Sequence, residues 1–136
     1  MEIKKLTTIT AMHTRQGVRI AYTYSLVSET GDVIRRNIRG SLVLTKGMEE
    51  QATAVKTLED FLTARLPEGD LTGVLTSLCA FQSTEGTVIT YLYDEIDAAG
   101  GTVTKNNQAT VTLLEGYMDA QIAAAATLRA FLSTKL

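Results

Sequence analysis

The sequence predicts an α+β fold in which a β-β-β(-β)-α unit is written twice in tandem, as antiparallel sheet or sheets packed on two helices with pseudo-twofold symmetry. Three observations predict it: an internal repeat, a period-two alternation of apolar residues, and two apolar stripes at helical spacing.

The repeat is visible by direct comparison. Leu6-Thr7-Thr8-Ile9-Thr10-Ala11-Met12 aligns with Leu75-Thr76-Ser77-Leu78-Cys79-Ala80-Phe81 at an offset of 69. Gly17, Ile20, Tyr22 and Tyr24 recur at the same offset as Gly86, Ile89, Tyr91 and Tyr93. From Gly31 onward an offset of 70 is expected, with Gly31, Val33, Asn37 and Leu44 meeting Gly101, Val103, Asn107 and Leu114. That alignment places one extra residue in the turn at Gly100-Gly101. Met48, Gln51, Ala54, Thr57, Leu58, Phe61, Leu62 and Leu66 then recur as Met118, Gln121, Ala124, Thr127, Leu128, Phe131, Leu132 and Leu136. The 19 identities in 61 compared positions fall mostly on glycines, tyrosines and apolar residues, which argues against chance.

Val18, Ile20, Tyr22, Tyr24 and Leu26 alternate with Arg19, Ala21, Thr23 and Ser25, as a half-buried strand requires. Ile89, Tyr91 and Tyr93 repeat the pattern. Glu29–Asp32 and Ala98–Gly101 read as hairpin turns in which glycine supplies positive φ. The 21 threonines fit strands, where β-branched side chains pack well. Residues 33–45 and 103–115 form the third strand of each unit. Gly40 is the expected break in the first, leaving a short fourth strand at Leu42–Thr45.

Gln51, Val55, Leu58, Phe61 and Leu62 share one stripe of the first helix, with Glu49, Lys56, Glu59 and Asp60 largely off it. The second helix is expected from about Tyr117 to Ser133. It carries no charge between Asp119 and Arg129, so burial on several sides, against the sheet and the first helix, is expected. Leu66-Pro67-Glu68-Gly69-Asp70 then reads as a helix stop and a short connector. The domain reading is one compact body over 1–136, with repeat one at 1–66, the connector at 67–70 and repeat two at 71–136.

Composition sets outer bounds. The chain of 136 residues is 45% apolar and 21% charged, which excludes disorder as the main reading. Its net charge of −2 implies no polyionic partner by itself. Cys79 is the only cysteine, so an internal disulfide and a cysteine-rich zinc site are both excluded. Met1–Thr8 runs into a strand pattern without an apolar signal core, and no stretch has the length of a membrane span. A soluble cytoplasmic protein without membrane association is expected.

Little in the chain points to catalysis, and neither cofactor nor metal is expected. Nucleotide-cradling loops are absent from the sequence. His13, the only histidine, reads as a turn residue, and Cys79 as a small strand-face or core residue. Asp94, Glu95 and Asp97 cluster at a strand end, but neighbouring strand residues point to opposite faces. A solvated acidic cluster is the expectation there, not a cation site.

The strongest functional signal is a charge asymmetry. Residues 1–66 hold ten Lys/Arg and seven Asp/Glu, whereas residues 67–136 hold three and eight. The basic residues of the first half concentrate at Arg35, Arg36 and Arg39, with Arg19 on the partner strand. If the intervening loop preserves parity, Arg19, Thr23, Arg35, Asn37 and Arg39 share one face, opposite Ile20, Tyr22 and Tyr24. Guanidinium forks there suit phosphates or carboxylates, and Tyr22 and Tyr24 are candidate stacking platforms for bases.

The leading functional expectation is a non-catalytic binding or interaction protein that recognises a small anion or a protein partner. Tandem antiparallel strands followed by a helix resemble, in topology, the Whirly and PUR-repeat families of single-stranded-DNA binders. That resemblance implies nucleic-acid binding as an alternative. A third reading is a small structural or assembly subunit that forms homo-oligomers; the chain is similar in general look to accessory proteins encoded by bacterial viruses.

Overall fold

The computed structural model describes residues 3–15, 17–83 and 86–136; the side chains of His13, Thr14 and Ser83 lie outside the description. Among the described residues, eight elements follow in order. They are β1 (Ile3–Thr14), β2 (Gly17–Val27), β3 (Val33–Val43), α1 (Glu49–Thr63), β4 (Thr72–Ser83), β5 (Gly86–Ile96), β6 (Thr102–Thr112) and α2 (Asp119–Ser133). The fold is α+β. All six strands join one antiparallel sheet in the order β3-β2-β1-β4-β5-β6, so the two halves meet where β1 pairs with β4.

Both helices lie on one side of that sheet. Ile9, Ala11, Ile20, Leu78, Ala80, Ile89, Tyr91 and Val111 point toward Val55, Leu58, Leu62, Leu128 and Leu132 and form one continuous apolar core. The alternation in the strands and the stripe in α1 produce this directly: each element has one apolar side, and each hides it against the other. α1 and α2 pack together, and each also reaches the first strand of the other half, α1 over β4 and α2 over β1. The core is therefore interleaved across the halves.

Several local expectations are corrected. β3 runs unbroken through Gly40, and no separate strand begins at Leu42. Gly40 is present for packing: a Cβ there would lie 2.5 Å from Cζ of Tyr22, whose ring covers the strand. Nor is α2 buried on several sides. Ala124, Ala125, Leu128 and Leu132 are buried, whereas Ala120, Ala123, Ala126 and Ala130 are exposed. Alanine favours helix and exposes little apolar area, so an alanine-rich helix need not be enclosed.

The extra residue of the second half does not lie at Gly100-Gly101. The two hairpin turns are equal in length: Gly31 (φ 90°) donates to Ser28 O and Gly100 (φ 86°) to Asp97 O, each at 3.0 Å. Pairing keeps the offset of 69 along the third strands, since Tyr22 faces Gly40 and Tyr91 faces Ala109. Asn37 therefore corresponds to Asn106, and both have left-handed backbones (φ 55° and 56°). The difference arises before the helices. Gly47 (φ 92°) precedes Met48, whereas Gly116 (φ 84°) is separated from Met118 by Tyr117. Accordingly the Met48 amide reaches back three residues to Thr45 O, and the Met118 amide four residues to Leu114 O. Tyr117 has no counterpart in the shorter turn before α1, and it is 86% exposed.

Candidate functional site

With both helices on one side, no element among the described residues covers the other side of the sheet. Alternation assigns its residues. Across the middle run Ser41, Ala21, Thr10, Cys79, Thr90 and Thr110, one from each strand and none charged. One flanking row is Arg39-Thr23-Thr8-Phe81-Val88-Thr112, and the other is Val43-Arg19-Met12-Ser77-Leu92-Gln108. Cross-strand hydroxyl contacts tie the face together, Thr8 to Thr23 and Thr90 to Thr110. This suits β-branched threonine, whose methyl packs on the pleat while its hydroxyl bonds sideways.

The predicted arginine stripe is divided. Arg39 pairs with Thr23 and so stands on the open side with Arg19, whose guanidinium donates to Ser41 Oγ at 3.4 Å. Beyond Ile38 the register slips, and the next pairing is Arg35 with Leu26, on the Tyr24 side of the sheet. Asn37 sits at the slip. A residue with positive φ opens a bulge, and a bulge reverses the face of everything beyond it. Arg19, Thr23 and Arg39 thus share a face; Arg35 does not join them, and Arg36 and Asn37 are exposed at the bulged edge. A shallow groove on the open side is lined by Thr8, Thr10, Ala21, Thr23 and Arg39. Lys5, paired with Ser25, lies on the same side.

Tyr22 packs against the core on the helix side, and Tyr24 follows it there by alternation. Tyr91 is buried, with Tyr93 6.4 Å away between ring centroids. The open side instead carries Phe81, opposite Thr8 and Val88. Cys79 is a free, half-buried thiol in the middle of the open face, opposite Thr10 and Thr90. His13 pairs with Val18 at the end of β1.

The acidic residues at and just beyond the end of β5 are engaged in local hydrogen bonds. Asp94 Oδ1 accepts the Asn106 amide at 2.9 Å, which caps the left-handed bulge there. Glu95 Oε1 accepts from the Thr104 hydroxyl at 3.0 Å, and Asp97 Oδ1 accepts the amides of Ala99 and Gly101 in the hairpin. Among the described residues, no three His, Cys, Asp or Glu side chains gather as a metal site.

One polar cluster was not anticipated. Arg129, half-buried where α2 meets β5, donates to Thr87 Oγ1 at 3.4 Å, and Gln82 with its amide oxygen turned inward accepts from the same guanidinium. Burial pulls the Arg129 pKa below its ordinary value. The signal in the sequence was a sign reversal, because the matching position of α1 is Glu59.

Neither a protein-family model nor a curated protein matches the chain. Among the described residues, no helix is long and apolar enough to cross a membrane.

Proposed function

We propose that this chain is a non-catalytic interaction protein that binds an anionic partner, an acidic segment of another protein, on the open face of its sheet. The observation that carries this reading is the uncovered face itself: six strands wide, uncharged in its central row, and flanked in the first half by Arg19, Arg39 and Lys5. A sheet face left without a covering layer keeps its apolar groups partly in water, here Phe81, Leu92 and Met12, unless a partner supplies that layer. The arginines add planar donor forks suited to carboxylates.

The same proposal includes a tandem duplication in which the second copy lost its basic residues. Support comes from paired irregularities: bulges at Thr7 and Thr76, which have no register partner and whose hydroxyls donate to Thr23 O and Leu92 O, and the left-handed Asn37 and Asn106. At the positions of Arg19, Arg39 and Lys5 the second half has Val88, Gln108 and Val74, and opposite Val74 it carries Asp94, so the basic residues of the face belong to the first half alone.

The test is a fluorescence-anisotropy titration with labelled poly-aspartate and, in parallel, a labelled single-stranded oligonucleotide. Poly-aspartate is expected to bind, and the Arg19→Ala/Arg39→Ala variant to lose roughly tenfold or more in affinity, since charge-assisted bonds contribute about 1.5–3 kcal/mol each. Binding of the oligonucleotide alone, fading steeply with salt, would transfer the face to nucleic acid. No binding of either probe at low salt would remove the proposal.

A further inference from the structure

We infer that copies of this chain associate head to tail, β3 of one against β6 of the next, extending the sheet. Both edges are strands of 11 residues with one side of the backbone unpaired. Because β3 and β6 run in opposite directions within the sheet, a second copy moved sideways, helices on the same side, presents β6 antiparallel to β3. Backbone pairing then continues in the manner of an added strand.

The side chains select this arrangement over the alternatives. Beyond the bulges at Asn37 and Asn106, each edge keeps a regular stretch of six residues, Ile38–Val43 and Asn107–Thr112. In phase, Gly40 falls opposite Ala109, Arg39 opposite Thr110 and Ile38 opposite Val111, with no like-charged pair between the two edges. The ends match as well. β3 begins with the exposed Val33 and Ile34, 45% and 54% accessible, and β6 runs out into the exposed Leu114 and Tyr117. Antiparallel pairing brings these two ends together, and it sets Arg35 and Arg36 beside Glu115. Pairing β3 with β3 over the same stretch would instead bring Arg35 and Arg36 of each copy toward Lys46 of the other, like charges at both ends. Tyr117 is present only in the second half, which is what a contact made by unlike edges requires. Such a contact is heterologous and does not close on itself, so it grows into chains or rings. It uses the edges and is independent of the open face.

Sedimentation velocity of the whole chain over a range of concentrations tests this, with folding of every variant checked by circular dichroism. The wild type is expected to gain mass with concentration beyond a dimer. Arg35→Glu/Arg36→Glu disables the β3 edge and deletion of Tyr117 with Glu115→Lys disables the β6 edge, so each variant alone stays monomeric over the range in which the wild type associates. Their equimolar mixture is expected to associate again, because each variant retains the edge the other lacks. The deletion is compatible with folding, since the first half makes the same turn without that residue. A wild type that stays monomeric, or that stops at a dimer which either variant alone still forms, would overturn the inference.

Discussion

Replacing Leu58 by alanine is expected to destabilise the fold by about 3 kcal/mol, and Leu128→Ala by a similar amount, within the range of roughly 2–5 kcal/mol for buried leucines. Both side chains are sealed, at 0% and 1% accessibility, and both belong to the one core cluster. Removing three carbons there forfeits the transfer free energy and leaves a cavity, which a sheet pinned by ladders on both sides of each central strand closes poorly. Denaturant titration gives the check: the midpoint falls and the slope stays constant. Because α1 reaches β4 and α2 reaches β1, either variant lowers a single transition shared by both halves. Two separate transitions, one per half, would show that the halves hold together less tightly than this packing requires.

Gly40→Val is expected to cost about 2 kcal/mol, as overpacking of a filled site does. The sign is informative, because glycine in a strand is ordinarily a weakness that valine relieves. Here the new Cβ meets Cζ, Oη and Cε2 of Tyr22 at 2.5, 2.6 and 2.7 Å. The ring cannot swing away freely, since it also packs against the core. In a Tyr22→Leu background the penalty disappears or changes sign, which a double-mutant cycle reads as coupling between the two positions. At the matching place in the second half Ala109 already carries a methyl opposite Tyr91, so Ala109→Ser is expected to be nearly neutral.

The strands, their turns and the two helices were legible because each depends on short-range pattern: alternation in β2 and β5, glycine at the hairpins, an apolar stripe in α1. What misled was local ambiguity with a physical source. Gly31, Asn37 and Leu44 each meet a doubled residue in the second half, Gly100-Gly101, Asn106-Asn107 and Leu113-Leu114, so offsets of 69 and 70 match them equally well. Only backbone pairing and the φ of Asn106 resolve the alignment, and they place the one-residue difference between the halves at Tyr117. The same kind of uncertainty divided the arginine stripe. Parity arguments hold until a bulge, and the bulge at Asn37 is announced only by asparagine's tolerance of positive φ. Arg19 and Arg39 were therefore placed together by a count that failed for Arg35.

That the halves share one sheet, and that one side of it stays bare, lay beyond local pattern. The β1–β4 pairing that joins them is long-range, between strands that look alike and could each have remained an edge. The open face is also disguised by composition. Threonine and serine supply most of its central row, and they read equally well as solvated surface or as a dry, hydroxyl-bonded interface.

The position of Cys79 offers the sharpest test of the open face as the binding surface, since the thiol lies in its central row and is the only one in the chain. The rate of its alkylation by a small thiol reagent would be followed with and without saturating poly-aspartate. The proposal predicts that bound peptide slows the reaction and that Arg19→Ala/Arg39→Ala removes the protection. An unchanged rate while the peptide is demonstrably bound would place the interaction elsewhere on the molecule and contradict it.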